Sequence, residues 1–528
     1  MKQITVILLV LLCVPMQAQK SDENLRNLQL AWQLINTFYV DTVNKQALSC
    51  EAIVSMLKML DPHSVFIPAE DVKAANEQLN GNFEGIGVEF IILNDTLTVV
   101  NAIGGGPSEK IGIVSGDRIV AINGENMAGI GIKNSDVFKR LRGEKGTVVN
   151  LTIHRKGNSR AHEFRVTRNK IPINSIDAAY MLSDKTAYIK ISRFAINTYN
   201  EFHENLEKLT GNNPQNLIID LRGNGGGYLT AVLDIADELL DGGKLMLYTQ
   251  GNASARKEFN SKRGGLWENR RLLLLIDESS ASASEIVSGA IQDWDRGIVM
   301  GRRSYGKGLV QRIFKLNDES EIRLSIAKYY TPSGRCIQKP YSEGEKQYRE
   351  EIANRLSHGE LMNRDSIHLR EDLMFKTLKH NRSVYGGGGI MPDVFVPLDT
   401  SMITPFYREL FSQGTFNLFM AHYMDENREI LQTLYPDFDA YSAGFNADSE
   451  IFEALIAEAR NQGINTIAEL IAVSEPFIKI QIKAYIARQL WSANEYFRIV
   501  NQSTPIVVNA LELVEDKERY NDVLTEER

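Results

Sequence analysis

Small hydroxyl residues follow an apolar segment near the centre of this chain. The run is Ser279-Ser280-Ala281-Ser282-Ala283-Ser284, which follows the strand-like residues 272–276 and precedes a helix-like pattern at 285–295. Downstream, Lys307 lies between two glycines. Serine is inert at neutral pH unless an adjacent base takes its proton, so this pair predicts a serine nucleophile with a lysine base. Spacing alone does not choose among the four serines, and each of them could instead cap the helix.

Lys307 is followed by residues that could hold its amine. If the segment is extended, Lys307, Leu309 and Gln311 share one face, because strand side chains alternate. Gln311 could then orient the lysine amine. Burial would lower the lysine pKa, and a neutral amine can accept the serine proton. The alternative is an ordinary surface lysine in a loop.

A glycine-rich loop at residues 220–227 follows a buried strand and precedes a helix. Its exposed backbone N–H groups could cradle a phosphate or form an oxyanion hole. The phosphate interpretation is weak because no Gly-Lys-Ser/Thr follows, so the loop is not a P-loop. Tyr228 also stands where the Rossmann fingerprint requires a third glycine.

Residues 81–170 alternate short strands with glycine turns, and this region resembles a PDZ domain. The segment Gly85-Ile86-Gly87-Val88 matches the carboxylate-binding loop of that family, and Gly116-Asp117-Arg118-Ile119 matches its most recognisable turn. Consecutive backbone N–H groups form a nest for a C-terminal carboxylate, and the peptide adds as a strand. The alternative is a generic small β domain.

Helical and α/β patterns surround this β region. Apolar residues recur at helical spacing after residue 25, and residues 171–397 alternate strands with helices, as in an α/β core. Residues 339–385 are charged and glycine-poor and resemble an insertion. The last 130 residues are helical in character, and we expect residues 515–528 to form a frayed, charged end.

Several motifs together resemble the C-terminal processing peptidases, also called tail-specific proteases. They are residues 220–227, Ser282-Ala283-Ser284-Glu285, residues 305–311, residues 329–335, residues 389–393 and Asp61-Pro62-His63-Ser64. The resemblance covers about residues 25–397 and implies a crotonase-like α/β protease core with an inserted PDZ domain. It implies Ser282 as nucleophile, Lys307 as base and Gln311 as its orienting partner. It further implies an oxyanion hole formed by the amides of Ala283 and Gly226, with Gly225 the next choice.

The net charge and the N-terminal residues limit the possible partners and the cellular location of the protein. The 528 residues carry a net charge of −8, which argues against a nucleic-acid role. Lys2 and the apolar run 4–14 predict a secretory signal with cleavage after Ala18. We therefore expect an exported protein, periplasmic or otherwise extracytoplasmic. Lipoprotein anchoring at Cys13 is less favoured because Leu12 fits that signal poorly. No other run of 18 apolar residues follows, so no stable membrane span is expected.

These observations predict an exported serine endopeptidase that binds polypeptide C-termini and needs no cofactor or metal. The alternatives are a catalytically silent PDZ scaffold and, less favoured, a crotonase-like acyl-CoA enzyme. A homo-oligomer formed through the helical termini and an activating partner protein are both left open by the sequence. The predicted division is a signal peptide (1–18), an N-terminal helical region (19–76), a PDZ domain (77–170), a protease core with its insertion (171–398) and a C-terminal helical region (399–528).

Overall fold

The computed structural model describes residues 23–158, 160–262, 264–447 and 449–526, so the predicted signal peptide and Cys13 lie outside the described residues. The N-terminal region consists of α1 (Glu23–Phe38), α2 (Lys45–Lys58), β1 (Val65–Ile67) and α3 (Ala69–Asn80). No residue of α1 is buried, although the helix carries several large apolar side chains.

An inserted β domain follows α3. Its elements are β2 (Asn82–Gly85), β3 (Val88–Leu93), β4 (Thr96–Ala102), α4 (Pro107–Lys110), β5 (Arg118–Ile122), β6 (Glu125–Asn126), α5 (Asn134–Leu141), β7 (Val148–His154), β8 (His162–Thr167) and β9 (Asn169–Pro172). The antiparallel sheet has the order β3-β4-β5-β7-β8, with β6 on β5. β2 pairs with β9, so the chain enters and leaves the domain through neighbouring strands.

The largest part of the chain is an α/β core. Its elements are β10 (Ile176–Met181), β11 (Thr186–Ile191), α6 (Thr198–Thr210), β12 (Asn216–Asp220), α7 (Leu229–Leu239), β13 (Leu245–Gln250), β14 (Lys257–Asn260), β15 (Arg271–Ile276), α8 (Ala283–Asp293), β16 (Ile298–Gly301), β17 (Leu309–Lys315), β18 (Glu321–Tyr330), α9 (Glu345–Ser357), β19 (Met374–Lys376), β20 (Ser383–Tyr385) and β21 (Val394–Phe395).

Two sheets organise this core. The first has the order β10-β11-β12-β15-β16-β21 and is parallel from β11 onward. Every residue of β12 is buried, as expected for a parallel strand covered on both faces. The second sheet is antiparallel, with the order β1-β18-β13-β14, and β17 lies on the other edge of β18. The segment β19–β20 and helix α9 belong to the predicted insertion.

Helices cover both faces of the parallel sheet. Helices α6, α7 and α8 pack on one face, where they share an apolar core with β12 and β15. The other face is covered by the end of the chain, which follows a separate group of helices. The C-terminal elements are α10 (Pro405–Ser412), α11 (Thr415–Leu434), α12 (Phe438–Gly444), α13 (Ser449–Asn461), α14 (Ala468–Leu490), α15 (Ala493–Val500), α16 (Pro505–Glu515) and α17 (Lys517–Thr525). None of the helices in the described ranges is long and apolar enough to span a membrane.

The prediction of a frayed end at residues 515–528 is wrong for the part that the structure describes. Tyr520 and Val523 of α17 are buried against the sheet. The Tyr520 hydroxyl donates to the Leu272 carbonyl (2.8 Å) and accepts from the Leu272 amide (3.1 Å). The charged residues of α17 lie on its outer face, so their number in the sequence concealed the two apolar anchors.

The helices α10–α15 have a core of their own and also contact the inserted β domain. Asp425 of α11 accepts from the Arg118 guanidinium (2.9 Å), and its carbonyl accepts from Lys156 Nζ (2.8 Å). A cavity of about 510 Å³ lies between the two parts. On the opposite side, Arg142 pairs with Glu77 of α3 (2.6 Å). The β domain is therefore held between α3 and the C-terminal helices.

Candidate active site

Ser282 occupies a sharp turn between β15 and α8. Its φ of 54° and ψ of −110° are a conformation that side-chain-bearing residues rarely adopt. Such strain persists only where the surroundings enforce it, and it is frequent at functional sites. The residue also begins α8, whose first N–H groups have no partner within the helix. The turn places a partly exposed hydroxyl where developing negative charge is stabilised.

The neighbouring serines are engaged elsewhere. Ser280 is buried, and its hydroxyl donates to the Leu221 carbonyl at 2.8 Å. Ser284 is also buried and donates to the Asn224 carbonyl at 2.9 Å. Ser279 is exposed and has an ordinary backbone. Among the four serines of the run, position 282 therefore combines backbone strain with partial exposure.

Lys307 lies just before β17, and Gln311 lies within that strand. Lys307 Nζ donates to Gln311 Oε1 at 2.9 Å. Gln311 Nε2 in turn donates to the His63 carbonyl at 2.6 Å, which fixes which end of the amide faces the lysine. The described contacts contain no hydrogen bond between Lys307 Nζ and Ser282 Oγ. Catalytic hydrogen bonds are often longer without substrate and tighten in the complex.

The surroundings of Lys307 favour a neutral amine. Burial lowers the pKa of Lys307, and the charge of Arg323 acts in the same direction. The carboxylates of Asp61 and Glu285 oppose this shift, since a nearby negative charge favours the ammonium form. The net direction is downward, as a lysine general base requires.

The turn after α2 lies against this site. Asp61 Oδ1 accepts from the amides of His63 (2.8 Å) and Ser64 (2.9 Å), so the aspartate caps the turn. His63 contributes its carbonyl to Gln311, and its Nε2 lies 2.7 Å from the Tyr348 hydroxyl of α9. Burial, with Lys307 next in importance, lowers the pKa of His63 to about 4. The predicted insertion therefore reaches the catalytic region through Tyr348.

Two buried side chains contact the backbones of both Ser282 and Lys307. Glu285 Oε2 accepts from the amides of Ser282 (2.8 Å) and Lys307 (2.9 Å). The Tyr329 hydroxyl contacts the carbonyl oxygens of the same two residues, at 3.1 Å for Ser282. Both residues lie inside quoted sequence motifs but were assigned no role. Nothing in their residue types indicated a role in the site. Their position between the segments that carry Ser282 and Lys307 is visible only in the folded structure.

The glycine-rich loop lies directly against the serine turn. A Cβ on Gly226 would come within 2.8 Å of Ser282 Cβ, so only glycine allows this approach. The Gly226 amide donates to Asn224 Oδ1 (2.9 Å). The amides of Gly225 and Ala283 make no hydrogen bond within the described residues. These two amides are therefore available to a ligand, whereas the Gly226 amide would first have to leave Asn224.

Residues 85–88 connect β2 to β3 in the β domain. Gly85, Ile86 and Gly87 are buried, and Gly87 has a φ of 77°. Strand β3 is the end strand of its sheet, and Phe90 on it contacts Phe138 of α5 edge to face at 5.4 Å between ring centroids. Phe90 thus brings β3 next to α5, and the loop that ends at Val88 directly precedes this strand. An extended peptide can add to such an edge.

No cluster of histidine, cysteine or carboxylate side chains suited to a metal occurs among the described residues.

Comparisons with known proteins identify the family of the chain and its domains. Residues 185–344 match Peptidase family S41, residues 98–155 match a PDZ domain, and residues 406–492 match a family of unknown function. The carboxy-terminal-processing protease of Bartonella bacilliformis is 32% identical over 311 residues, covering 58% of this chain and 71% of that protein. The carboxy-terminal processing protease CtpB of Bacillus subtilis is 34% identical over 334 residues, covering 62% and 68%. A solved photosystem II D1 C-terminal processing protease is 26% identical, covering 59% of this chain and 90% of that one, with a TM-score of 0.34.

The fold and these matches define a PDZ-containing serine-type peptidase of family S41 with a mixed α/β core and a helical C-terminal region. Within that class, the chain belongs to the carboxy-terminal processing proteases. The family resemblance and the predicted α/β fold class with an inserted PDZ domain are confirmed, and the crotonase-like relationship of the core stays a prediction.

Proposed function

We propose that this protein is an exported endopeptidase that hydrolyses peptide bonds with a Ser282–Lys307 dyad. The observation that carries the proposal is the hydrogen bond from Lys307 Nζ to Gln311 Oε1, in surroundings that lower the lysine pKa, beside a strained Ser282. The competing scaffold role gives no reason for a buried lysine held by an oriented amide.

The reaction follows from these positions. Ser282 Oγ attacks the scissile carbonyl carbon as its proton passes to the neutral Lys307 amine. The carbonyl oxygen becomes an oxyanion, which the amides of Ala283 and Gly225 stabilise by roughly 3–4 kcal/mol per donor. Gly226 replaces Gly225 if its amide turns away from Asn224. The C–N bond then breaks, and Lys307 returns the proton to the leaving amine. A water molecule, deprotonated by Lys307, then attacks the acyl carbon, the C–O bond to Ser282 breaks, and Lys307 returns the proton to Ser282 Oγ.

The dyad is tested with a fluorogenic peptide. Ser282→Ala should lower kcat by about a thousandfold or more, and a double variant with Lys307→Ala should be little worse, because the two residues act as a unit. Ser279→Ala is the matched control, since that serine is exposed, and it should keep full activity. Hydrolysis that survives in Ser282→Ala would show that another residue is the nucleophile, whereas a wild-type protein without any hydrolysis would support the scaffold role.

We propose that the PDZ domain selects substrates by their free C-termini through residues 85–88. A peptide with an apolar free tail should be cut with a kcat/KM about tenfold higher than its amidated form, a difference of about 1.4 kcal/mol in binding. Deleting the domain should remove the difference. Equal rates for both peptides in the intact enzyme would contradict this role.

The setting and assembly are also part of the proposal. The predicted signal at residues 1–18 supports an extracytoplasmic location. The exposed apolar side chains of α1, which include Leu25, Leu28 and Phe38, support contact with a second copy through the N-terminal helices. An activating partner protein is not required by this mechanism and stays open.

A further inference from the structure

The catalytic serine and lysine lie on separate segments, and a single carboxylate oxygen joins their backbones. Oε2 of Glu285 accepts from the amide of Ser282 and from the amide of Lys307. The other oxygen accepts from Ser304 Oγ (2.6 Å) and from the Gly306 amide (2.7 Å). The side chain is completely buried. Four hydrogen bonds to one buried carboxylate make a rigid connection, because hydrogen bonds to a charged acceptor are about twice as strong as neutral ones.

A second residue joins the same two backbones on their carbonyl side. The buried Tyr329 hydroxyl lies in hydrogen-bond contact with the carbonyls of Ser282 and Lys307. Burial, with the charge of Glu285 next in importance, raises the pKa of Tyr329 well above its usual value. The hydroxyl therefore keeps its proton throughout the working pH range, and it shares this one proton between the two carbonyls.

We propose that Glu285 and Tyr329 are positioning residues that together set the distance between Ser282 and Lys307, one through the amides and the other through the carbonyls of the dyad. This proposal rests on the proposed dyad. It explains why the two segments meet in register without a direct hydrogen bond between their side chains. The contacts of both residues are to the backbones of the dyad, so each acts through the dyad.

Glu285 has a second effect that a purely structural residue would lack. Its carboxylate faces the Lys307 amine and raises the pKa of that amine against the effect of burial. The other charged or titratable groups that face Lys307 are Asp61 and His63 from the turn after α2 and Arg323 from β18. Replacing the Glu285 carboxylate with an amide removes one of only two negative charges in this set. The lysine should then lose its proton at lower pH.

The experiment measures kcat, KM and the pH dependence of kcat for Glu285→Gln, Glu285→Asp and Tyr329→Phe in the full-length enzyme, with rates normalised to the folded fraction. Tyr329→Phe should lower kcat by about 10- to 100-fold with little change in KM, because small displacements of reacting groups cost rates of that size. Its ascending pH limb should stay near that of the wild type. Glu285→Gln should lower kcat by a similar factor or more and move the ascending limb to lower pH. Glu285→Asp should restore the position of the limb.

Tyr330→Phe is the matched control for the tyrosine. Tyr330 is the next residue of β18, and its hydroxyl makes no hydrogen bond with the residues that the structure describes, so this variant should behave as the wild type. If Glu285→Gln does not fold, Tyr329→Phe still decides the proposal, since it removes a single oxygen atom. Wild-type kcat in Tyr329→Phe, or an unmoved limb in folded Glu285→Gln, would overturn it.

The experiments distinguish failure of the proposed dyad from failure of the positioning roles of Glu285 and Tyr329. Activity in Ser282→Ala would remove the dyad and this proposal with it. A dead Ser282→Ala enzyme combined with unaltered kinetics in both positioning variants would remove only the roles of Glu285 and Tyr329.

Discussion

Ser282 is positioned by residues of its own parallel-sheet core, whereas Lys307 is surrounded by segments that are far apart in the chain. The serine turn is held by the glycine-rich loop after β12, where the carbonyl of Asn224 accepts from the Ala281 amide (3.0 Å) and from Ser284 Oγ. Asn224, Ala281 and Ser284, which make these contacts, are buried. The geometry of the nucleophile is thus a property of the core itself.

The surroundings of Lys307 are contributed by three other parts. Gln311 comes from the antiparallel sheet, the His63 carbonyl from the turn after α2, and Tyr348 from the predicted insertion. A change in any of these three segments can alter the surroundings of Lys307 while the serine turn keeps its own contacts. Segments outside the core can therefore alter the pKa and the position of Lys307. This predicts that variants around Lys307 change the pH dependence of catalysis.

The largest expected effect comes from replacing the base itself. Lys307→Arg keeps the positive charge but cannot deprotonate at working pH, so hydrolysis should fall by about a thousandfold or more and the ascending limb of the pH profile should vanish. Lys328→Arg, at an exposed position of β18, is the control and should be silent. A pH profile that Lys307→Arg leaves unchanged would show that another group is the base.

A charge placed next to the lysine should have an intermediate effect. Gln311→Glu puts a carboxylate beside Nζ, which favours the ammonium form and raises the pKa of Lys307. Activity near pH 7 should fall about tenfold or more and recover as the pH rises. Gln311→Met loses the hydrogen bond without adding charge, so its kcat should fall without any shift of the limb to higher pH. If both variants share one pH profile, Gln311 does not act on the lysine.

The same contrast explains what the sequence could and could not predict. The serine turn, the lysine and the glycine-rich loop are local patterns, and strand β15 and helix α8 were anticipated to within about two residues. The contact at His63 is made by its backbone carbonyl group, so the identity of the residue could not predict it. Glu285 was visible as part of a motif, but its partners at Gly306 and Lys307 become apparent only in three dimensions. Likewise, the two apolar anchors of α17 were hidden among charged neighbours.

The smallest expected effect concerns stability rather than rate. The groups that face the His63 side chain are Asp61, Lys307, Lys339 and Arg349. In the folded protein the pKa of His63 is lowered to about 4, against a usual value of about 6.5. Between these values the unfolded chain binds a proton that the folded protein does not, so stability is fully present above about pH 6.5 and is lost as the pH falls toward 4.

His63→Gln keeps a group able to hydrogen-bond Tyr348 but does not titrate. As the pH falls toward 4, the free energy of unfolding of the wild type should decrease by about 1–2 kcal/mol, a figure reduced to allow for the partial exposure of the ring. The thermal midpoint of unfolding should therefore decrease more between pH 7.5 and pH 4.5 in the wild type than in His63→Gln. Because His63→Gln keeps the backbone carbonyl that accepts from Gln311, kcat at pH 7.5 should change only a few-fold. Equal falls in the two midpoints would show that His63 is not held neutral, and the turn after α2 would then be a weaker support for the base than its contacts indicate.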